Sequence, residues 1–486
     1  MQPPIAPIGL DYVAEALVSA GHTIDLLDLC WEQDARAAIA RFLTGSRHRL
    51  IGVTLRNTDD CSFTSRWTFL PEFAELVQTI RGQSDALVVL GGVGFSVMPE
   101  QIMQLSGAHA GIWGEGEFVF PELAARLERG EDWRGLPNLI WLQDGRLRRN
   151  PGSTWPLEDL PPMSRGWVDN PRYFREGGQA GFETKRGCSS PCVYCADPVA
   201  KGRQIRTRPP RAVADELARL LDQGIDHLHT CDAEFNLPER HAAQICREFV
   251  RRGFGEKLRW YAYCSPAPFS RALAGQMRAA GCVGVNFGAD SGDSEILKRL
   301  RRGFTPDDIL NAARWSKEAG MAVMLDLLLG SPGESCESLT RTVELMKQAE
   351  PDHAGVSVGV RVYPGTEFAS RPLAGRPGAS GAEALLDYER QHGRSSVTEE
   401  THGDFTEPLY YIEPDVAPFI FELLDALIGD DERFFFFDPS RPERNYNYNA
   451  NQRLTEAIRN GHRGAYWDIL GKVRKQQDRS PQRNSR

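Results

Sequence analysis

Apolar positions along the first part of the chain switch between two periods. Leu10, Val13, Ala14, Leu17 and Val18 recur on one helix face, Gly21 supplies a stop, and residues 22–28 read as a buried strand. The alternation continues with helix 33–44, strand 50–55, helix 69–80, strand 86–90, helix 97–105, strand 110–113 and helix 117–128. Strands alternating with helices predict a parallel sheet covered on both faces, a doubly wound, Rossmann-like α/β domain. Ligands of such sheets bind beyond the carboxyl ends of the strands. The loops there carry Arg56, Asn57 and Asp60, then Gly91, Gly92, Phe95 and Ser96, then Gly114, Glu115 and Glu117. Their glycines let backbone approach a ligand closely.

Between 130 and 180 the character changes. Pro137, Pro151, Pro156, Pro161, Pro162 and Pro171 interrupt any helix, while residues 139–142 and the Asp144-Gly145 turn predict a short hairpin. The first domain is accordingly placed at 1–145 and a linker at 146–180. From 181 strand-like runs recur at 182–186, 225–230, 258–263, 282–287, 322–329 and 355–361, with amphipathic helices between them, such as the one carrying Val213, Leu217, Leu220 and Leu221. Six strands and five helices predict a partial (β/α) barrel over 181–370, with its functional groups at the C-terminal strand ends. Residues 371–474 form a third, mainly helical region dense in aromatic residues, among them Tyr410, Tyr411, Phe434, Tyr466 and Trp467. It is either a cap on the barrel mouth or a small core of its own, the latter suggested by the helical spacing of Phe419, Leu423, Leu424 and Leu427. The polar tail 475–486 is expected to be disordered.

Composition narrows the functional classes. With 486 residues, 41% hydrophobic and 25% charged, the chain has the makeup of a multidomain globular protein. A net charge of −9 gives no attraction to nucleic acid or anionic lipid and favours a small-molecule substrate. No basic leader and no run of about 18 apolar residues occurs, so a cytoplasmic location is expected. There the ten cysteines stay reduced.

Three of those cysteines carry the candidate chemistry. Cys188, Cys192 and Cys195 fall in a CxxxCxxC loop. Three thiolates leave one iron of a [4Fe–4S] cluster open to chelate a small molecule. Structural zinc would want a fourth ligand, and the next Cys or His after Cys195 is His227. With Tyr194 before the last cysteine, the loop resembles the cluster loop of the radical S-adenosylmethionine (SAM) enzymes. By that resemblance Asp232 and Glu234 lie where the SAM amino group is held, Ser291 where ribose or carboxylate is held, and Gly330 where the adenine packs. Each of these clusters, taken singly, also reads as a helix cap or turn.

Pro3, Pro4, residues 7–10, Gly91, Gly92 and residues 114–117 are similar to the N-terminal domain of cobalamin-dependent radical SAM enzymes. The resemblance implies cobalamin contacts from Arg56, Asn57, Gly91, Gly92, Phe95, Gly114 and Glu115. The Asp-x-His-x-x-Gly motif is absent, so cobalt is expected without a protein imidazole below it, and His22, His48 and His109 read as strand-edge or surface residues. The strand that usually opens this domain before the Pro-Pro pair is also absent; either the start lies upstream of Met1 or the sheet lacks one edge.

The basic run 201–211 reads as a solvated face, with Arg206 or Arg208 reaching a cofactor or substrate anion as the alternative. Cys231, Cys246, Cys264 and Cys282 read as core, Cys231 alternatively as a hydrogen donor at a strand mouth, and Cys336 as structural. The resemblance implies a C-methyltransferase acting on an unactivated carbon of a small natural-product substrate. Its cofactors would be a [4Fe–4S] cluster, SAM and cobalamin, fed by an external electron donor of flavodoxin or ferredoxin type. SAM would be used twice, once to form the 5'-deoxyadenosyl radical that abstracts hydrogen and once to re-methylate cobalamin. The alternatives are a non-methylating member that cyclises, contracts or oxidises, and a non-catalytic corrinoid- or SAM-binding regulator. A tRNA methylthiotransferase fits badly, because the N-terminal region has no second cysteine triplet.

Overall fold

The computed structural model describes residues 3–45, 47–370, 405–436, 448, 449 and 451–478. Strands β1 (Leu50–Thr54), β2 (Leu87–Gly91), β3 (Ala110–Ile112), β4 (Leu139–Gln143) and β5 (Arg146–Arg149) form one sheet in that order. The first three run parallel and β4–β5 is the predicted antiparallel hairpin. Alternate residues of β2 divide between two cores. Val88 and Leu90 pack against helices Ala35–Leu43, Leu70–Gln83 and Pro99–Ser106, and Val89 against Ile8–Ser19 and Gly116–Arg129.

Residues 22–28 depart from expectation. They join no strand ladder; Thr23 and Asp25 are exposed, and β1 beside them is the sheet's edge. Their apolar spacing suits a strand, but a strand needs a partner for its backbone groups. The helix expected over 97–105 starts earlier and breaks at Pro99 into Val93–Val97 and Pro99–Ser106.

The barrel region begins with β6 (Ala180–Phe182) and a ribbon of β7 (Lys185–Arg186) with β8 (Arg206–Thr207) around the cysteine loop. It continues through β9 (His227–Thr230), β10 (Arg259–Cys264), β11 (Cys282–Asp290), β12 (Ala322–Leu329) and β13 (His353–Val358). Then follow a short pair, β14 (Val360–Val362) with β15 (Leu409–Tyr411), and finally β16 (Phe434–Phe436). The large sheet has seven parallel strands in the order β16-β13-β12-β11-β10-β9-β6. The expected six are therefore joined by a seventh, contributed by the phenylalanine run of the third region. Its edges β6 and β16 do not pair, so the barrel stays open.

The third region divides between the two ends of the barrel. Tyr410 packs on Phe63 of the loop after β1, beside the mouth. Helix Tyr466–Asp478 instead plugs the opposite end: Trp467 meets Tyr261 and Met324, and the Tyr261 hydroxyl donates to Asp468 at 2.6 Å. That helix runs through the start of the tail expected to be disordered, and the remainder, like residues 371–404, lies outside the described residues.

The basic run is a solvated face only in part, at Arg203 and Arg211. Arg206 and Arg208 are buried. Arg208 pairs with Glu216 at 2.7 Å, Arg206 pairs with Glu115, and the neighbouring Arg186 pairs with Glu117 at 2.7 Å. Glu216 is eight residues from Arg208, whereas the carboxylates at 115 and 117 lie far away in sequence, in the first domain. A fourth buried pair joins Arg361 to Asp59 at 2.8 Å. Arg165, in the linker, bonds both Asp11 at 2.9 Å and Glu216 at 2.8 Å. Ionic contacts thus hold the two large units together at several points, away from water.

Candidate functional site

The cysteine loop lies between the ribbon strands, at the C-terminal end of β6. Cys188 donates its N–H to the Gly202 carbonyl at 3.1 Å, and Val193 to that of Leu300 at 3.3 Å, so both ends of the loop are tied down. Cys188 and Cys192 are buried and Cys195 half-buried. Burial raises the Cys192 thiol above its ordinary pKa against the downward pull of Arg302, and pushes that of Cys195 up to about 12. Thiolates crowded in this way need a cation to compensate them. Among the described residues no three His, Cys, Asp or Glu side chains converge as a single ion requires. A cube bound at three corners holds its thiolates further apart than one tetrahedral ion does, and the donor set fits such a cluster.

Beside the cysteines sits a charged group that no sequence motif announced. Arg302 donates to Cys192 Sγ at 3.0 Å and to the Gly288 carbonyl at 2.7 Å. It also pairs with Asp290 at 3.1 Å and approaches Glu234 at 3.7 Å. Tyr194 donates its hydroxyl to Asp290 at 2.5 Å. Glu234 is pushed up to about 7 by burial, against the downward pull of Arg302. The one sequence signal for Arg302 was its place just beyond the Asp290–Gly292 strand end.

Asp232, paired with Glu234 in the sequence reading, has a different employment. Its carboxylate accepts the Thr184 N–H at 2.8 Å, the Lys185 N–H at 3.2 Å and the Thr184 hydroxyl at 2.6 Å. Ser291 is wholly buried, 3.1 Å from the Thr342 hydroxyl and accepting the Asp293 N–H at 3.1 Å. Gly330 has a φ of +86° and faces Ile412, which a Cβ would meet at 2.9 Å. Its N–H donates to Glu334, whose carboxyl also takes the Ser331 N–H at 2.8 Å.

On the first domain, helix Val93–Val97 packs against helix Asp197–Lys201, which follows Cys195. Gly91 is open: a Cβ there meets only the Ile112 carbonyl, at 3.8 Å. Gly92 has a φ of +99° and lies directly on the Leu55 carbonyl, and Gly94 lies on the backbone of Arg56 and Asn57. Arg56 faces the barrel, where its charge is felt by Cys231, Tyr263 and Tyr466. Phe95 is fully buried in the domain core, its ring filling the space beside Gly111. Gly114 donates to Ser96 Oγ at 2.9 Å, and Glu115 is taken up by Arg206 and the Trp155 N–H. His22 bonds Glu128, His48 bonds Asp25, and His109 accepts the Val88 N–H at 3.0 Å.

Between the cysteine loop and the plug, the inner barrel wall is lined by residues the sequence reading did not single out. Trp260, Ala262 and Cys264 of β10 face the helices, so Tyr261 and Tyr263 face inward. Tyr263 is 44% exposed although it lies inside the barrel, with the His229 ring 4.7 Å away. Asn286, opposite Tyr263 on β11, is buried, and its Oδ1 has no hydrogen-bond partner among the described residues.

Comparison with known proteins bears on this arrangement. Residues 182–346 match the family model of the radical SAM superfamily, and residues 2–124 that of the B12 binding domain. The tryptophan 2-C-methyltransferase of Streptomyces laurentii is 31% identical, over 96% of this chain and 94% of that protein. The chain belongs to the cobalamin-dependent radical SAM methyltransferases. Members of this family are enzymes that use a [4Fe–4S] cluster, SAM and cobalamin in methylating small substrates at carbon, and the same holds here. The radical SAM methyltransferase TsrM of Kitasatospora setae, with tryptophan substrate and the SAM analogue aza-SAM bound, superposes with a TM-score of 0.85. Identity is 29%, over 98% of this chain and 97% of that one. The cobalamin-dependent enzyme OxsB shares the fold, with a TM-score of 0.64 at 17% identity over 85% of this chain and 62% of that one. No helix among the described residues is long and apolar enough to cross a membrane.

Proposed function

We propose that this methyltransferase acts on tryptophan or a closely related indole, with Cys188, Cys192 and Cys195 holding the cluster. The observation that carries the reading is likeness over nearly the full length to a tryptophan 2-C-methyltransferase. The inner wall supports it. Tyr263 and His229 offer aromatic surface to a planar ring, and the unpartnered Asn286 carbonyl suits an N–H donor such as an indole. When bound, the corrinoid would supply a transferable methyl group and SAM its replacement.

The protein's part is to position these groups. Glu234, beside Arg302 and with its raised pKa, is the carboxyl we assign to the SAM amino group; Asp232 supports it from behind by fixing Thr184 and Lys185. Gly91, Gly92, Gly114 and the Arg56–Asn57 loop form the face toward the corrinoid, and Glu115 joins that face to the barrel through Arg206. Phe95 supports Gly111 from the core. An external donor of ferredoxin or flavodoxin type would reduce the cluster, in a cytoplasm that keeps the cysteines out of disulfides.

The test is incubation of the reconstituted protein with SAM, methylcobalamin, a low-potential reductant and tryptophan, followed by mass spectrometry. The expected result is a singly methylated tryptophan and one S-adenosylhomocysteine for each methyl group delivered. An unmethylated but altered product, without S-adenosylhomocysteine, would overturn the reading. Replacing Cys188, Cys192 and Cys195 together by Ala should abolish iron and sulfide binding, whereas Cys246→Ala or Cys282→Ala should not.

A further inference from the structure

Arg302 is buried at the centre of the site, and neither the sequence motifs nor the family likeness gives it a role. It leaves the turn after helix Ser294–Arg299, where Arg301 adopts a φ of +56°. Its guanidinium is held through both terminal nitrogens. Nη1 donates to Cys192 Sγ at 3.0 Å and lies 3.5 Å from the Tyr194 hydroxyl. Nη2 donates to the Gly288 carbonyl at 2.7 Å and lies 3.7 Å from Glu234. Nε is 3.1 Å from Asp290, and the group rests 4.8 Å from the centre of the Phe304 ring. A buried planar fork bonded to a carbonyl and a sulfur, stacked on a ring and flanked by two carboxylates is held away from solvent, although its Nε makes no hydrogen bond among the described residues, and it stays charged at any working pH.

We propose that Arg302 sets the reduction potential of the cluster, by donating an N–H to the sulfur of Cys192 and fixing a positive charge beside it. The inference rests on Cys192 being a cluster ligand. Reduction takes one electron from the ferredoxin- or flavodoxin-type donor, which is oxidised by one electron as the cluster passes from the 2+ to the 1+ state. No covalent bond breaks and no proton moves. The added negative charge spreads onto the thiolate sulfurs, so an N–H donor and a cation at one of them stabilise the reduced state more than the oxidised state. Asp290 and Glu234 offset part of this effect. They also hold the guanidinium in place, which makes Arg302 a positioning residue for the electron-transfer step.

The experiment compares full-length native protein with Arg302→Met, which lacks both charge and donor, and Arg302→Lys, which keeps the charge. Each is reconstituted, assayed for iron and sulfide, and titrated with redox mediators while the reduced cluster is followed by electron paramagnetic resonance, without and with SAM. At full iron content Arg302→Met should be at least tenfold harder to reduce, a fall of about 59 mV for a one-electron couple, with Arg302→Lys in between. An unchanged potential in loaded Arg302→Met overturns the proposal. So does a difference that appears only after SAM is added, which would place the arginine on SAM. If Arg302→Met does not load, pulsed resonance on native protein carrying 15N-guanidino arginine decides: coupling of an arginine nitrogen to the reduced cluster supports the proposal, and its absence overturns it. The ligand assignment fails separately, if Cys192→Ala retains a full complement of iron.

Discussion

Asp232 and Glu234 stand two residues apart on the loop after β9 and look interchangeable in sequence, yet their surroundings separate them. Asp232 accepts three donors from Thr184 and Lys185 and acts as a brace for the segment that leads into the cysteine loop. Asp232→Ala should therefore destabilise the protein before any cofactor is added, by about 1–3 kcal/mol for buried donors left unpaired. Chemical denaturation of the apo form reads this directly, and an unchanged midpoint would return Asp232 to a role in SAM binding alone. Glu334 makes a second case. Its Oε2 takes the Gly330 and Ser331 N–H groups while Oε1 has no partner among the described residues, and burial pushes its pKa up to about 8. The folded state thus keeps a proton that the unfolded chain has already released above its ordinary pKa of 4.5. Stability should fall as pH rises between those two values, by up to about 1.4 kcal/mol per unit, and level off above the higher one. Melting curves of the apo protein across this range should show the slope, and Glu334→Gln, which cannot ionise, should flatten it.

The adjoining glycines at the end of β2 show how one turn serves two purposes. Gly92 cannot carry a side chain, because its φ is positive and the Leu55 carbonyl occupies the space. Gly92→Ala should cost about 1–3 kcal/mol and lower the thermal midpoint whether or not a corrinoid is present. Gly91 has room for a Cβ, so Gly91→Leu should fold and lose bound cobalamin, read from its visible absorption after desalting. Equal cobalamin occupancy in Gly91→Leu and native protein would remove Gly91 from the corrinoid face. Elements such as β2, β11 and β12 were legible in the sequence because strands covered on both faces are apolar throughout. Residues 22–28 show the same apolar spacing and misled for that reason: pattern reports which way side chains point, but a strand also needs a partner. The basic run misled in the opposite sense. Arg206 and Arg208 are buried because Glu115 and Glu216 neutralise them; Glu115 lies 91 positions away, and Glu216, though only eight residues on, is brought round by the helix that follows. The cysteine loop was legible because its three cysteines fall within eight residues, whereas Arg302 and the Tyr263–Asn286 wall are assembled only by strand order.

At the scale of the molecule, the first domain and the barrel are joined by buried ions. Arg165 bonds Asp11 in helix Ile8–Ser19 and Glu216 in helix Pro210–Asp222. Arg165→Ala leaves Asp11 without its counter-ion in a dry site and should cost about 3–5 kcal/mol. Unfolding followed by tryptophan fluorescence and by circular dichroism should then resolve into two transitions, where the native protein shows one. A single, unshifted transition would mean that the domains are held by their apolar contacts. The base of the barrel has a further consequence, which concerns how the chain is made. The inner face around Tyr261 and Met324 is covered by Trp467, and the bond from Tyr261 to Asp468 spans 207 positions of sequence. A ribosome delivers the barrel long before its plug, and throughout that interval the greasy lining stands open to water and to neighbouring nascent chains. Synthesis of this protein therefore includes a waiting period in which a chaperone has something to hold, and refolding at high concentration should lose yield to aggregates that form before the last helix docks.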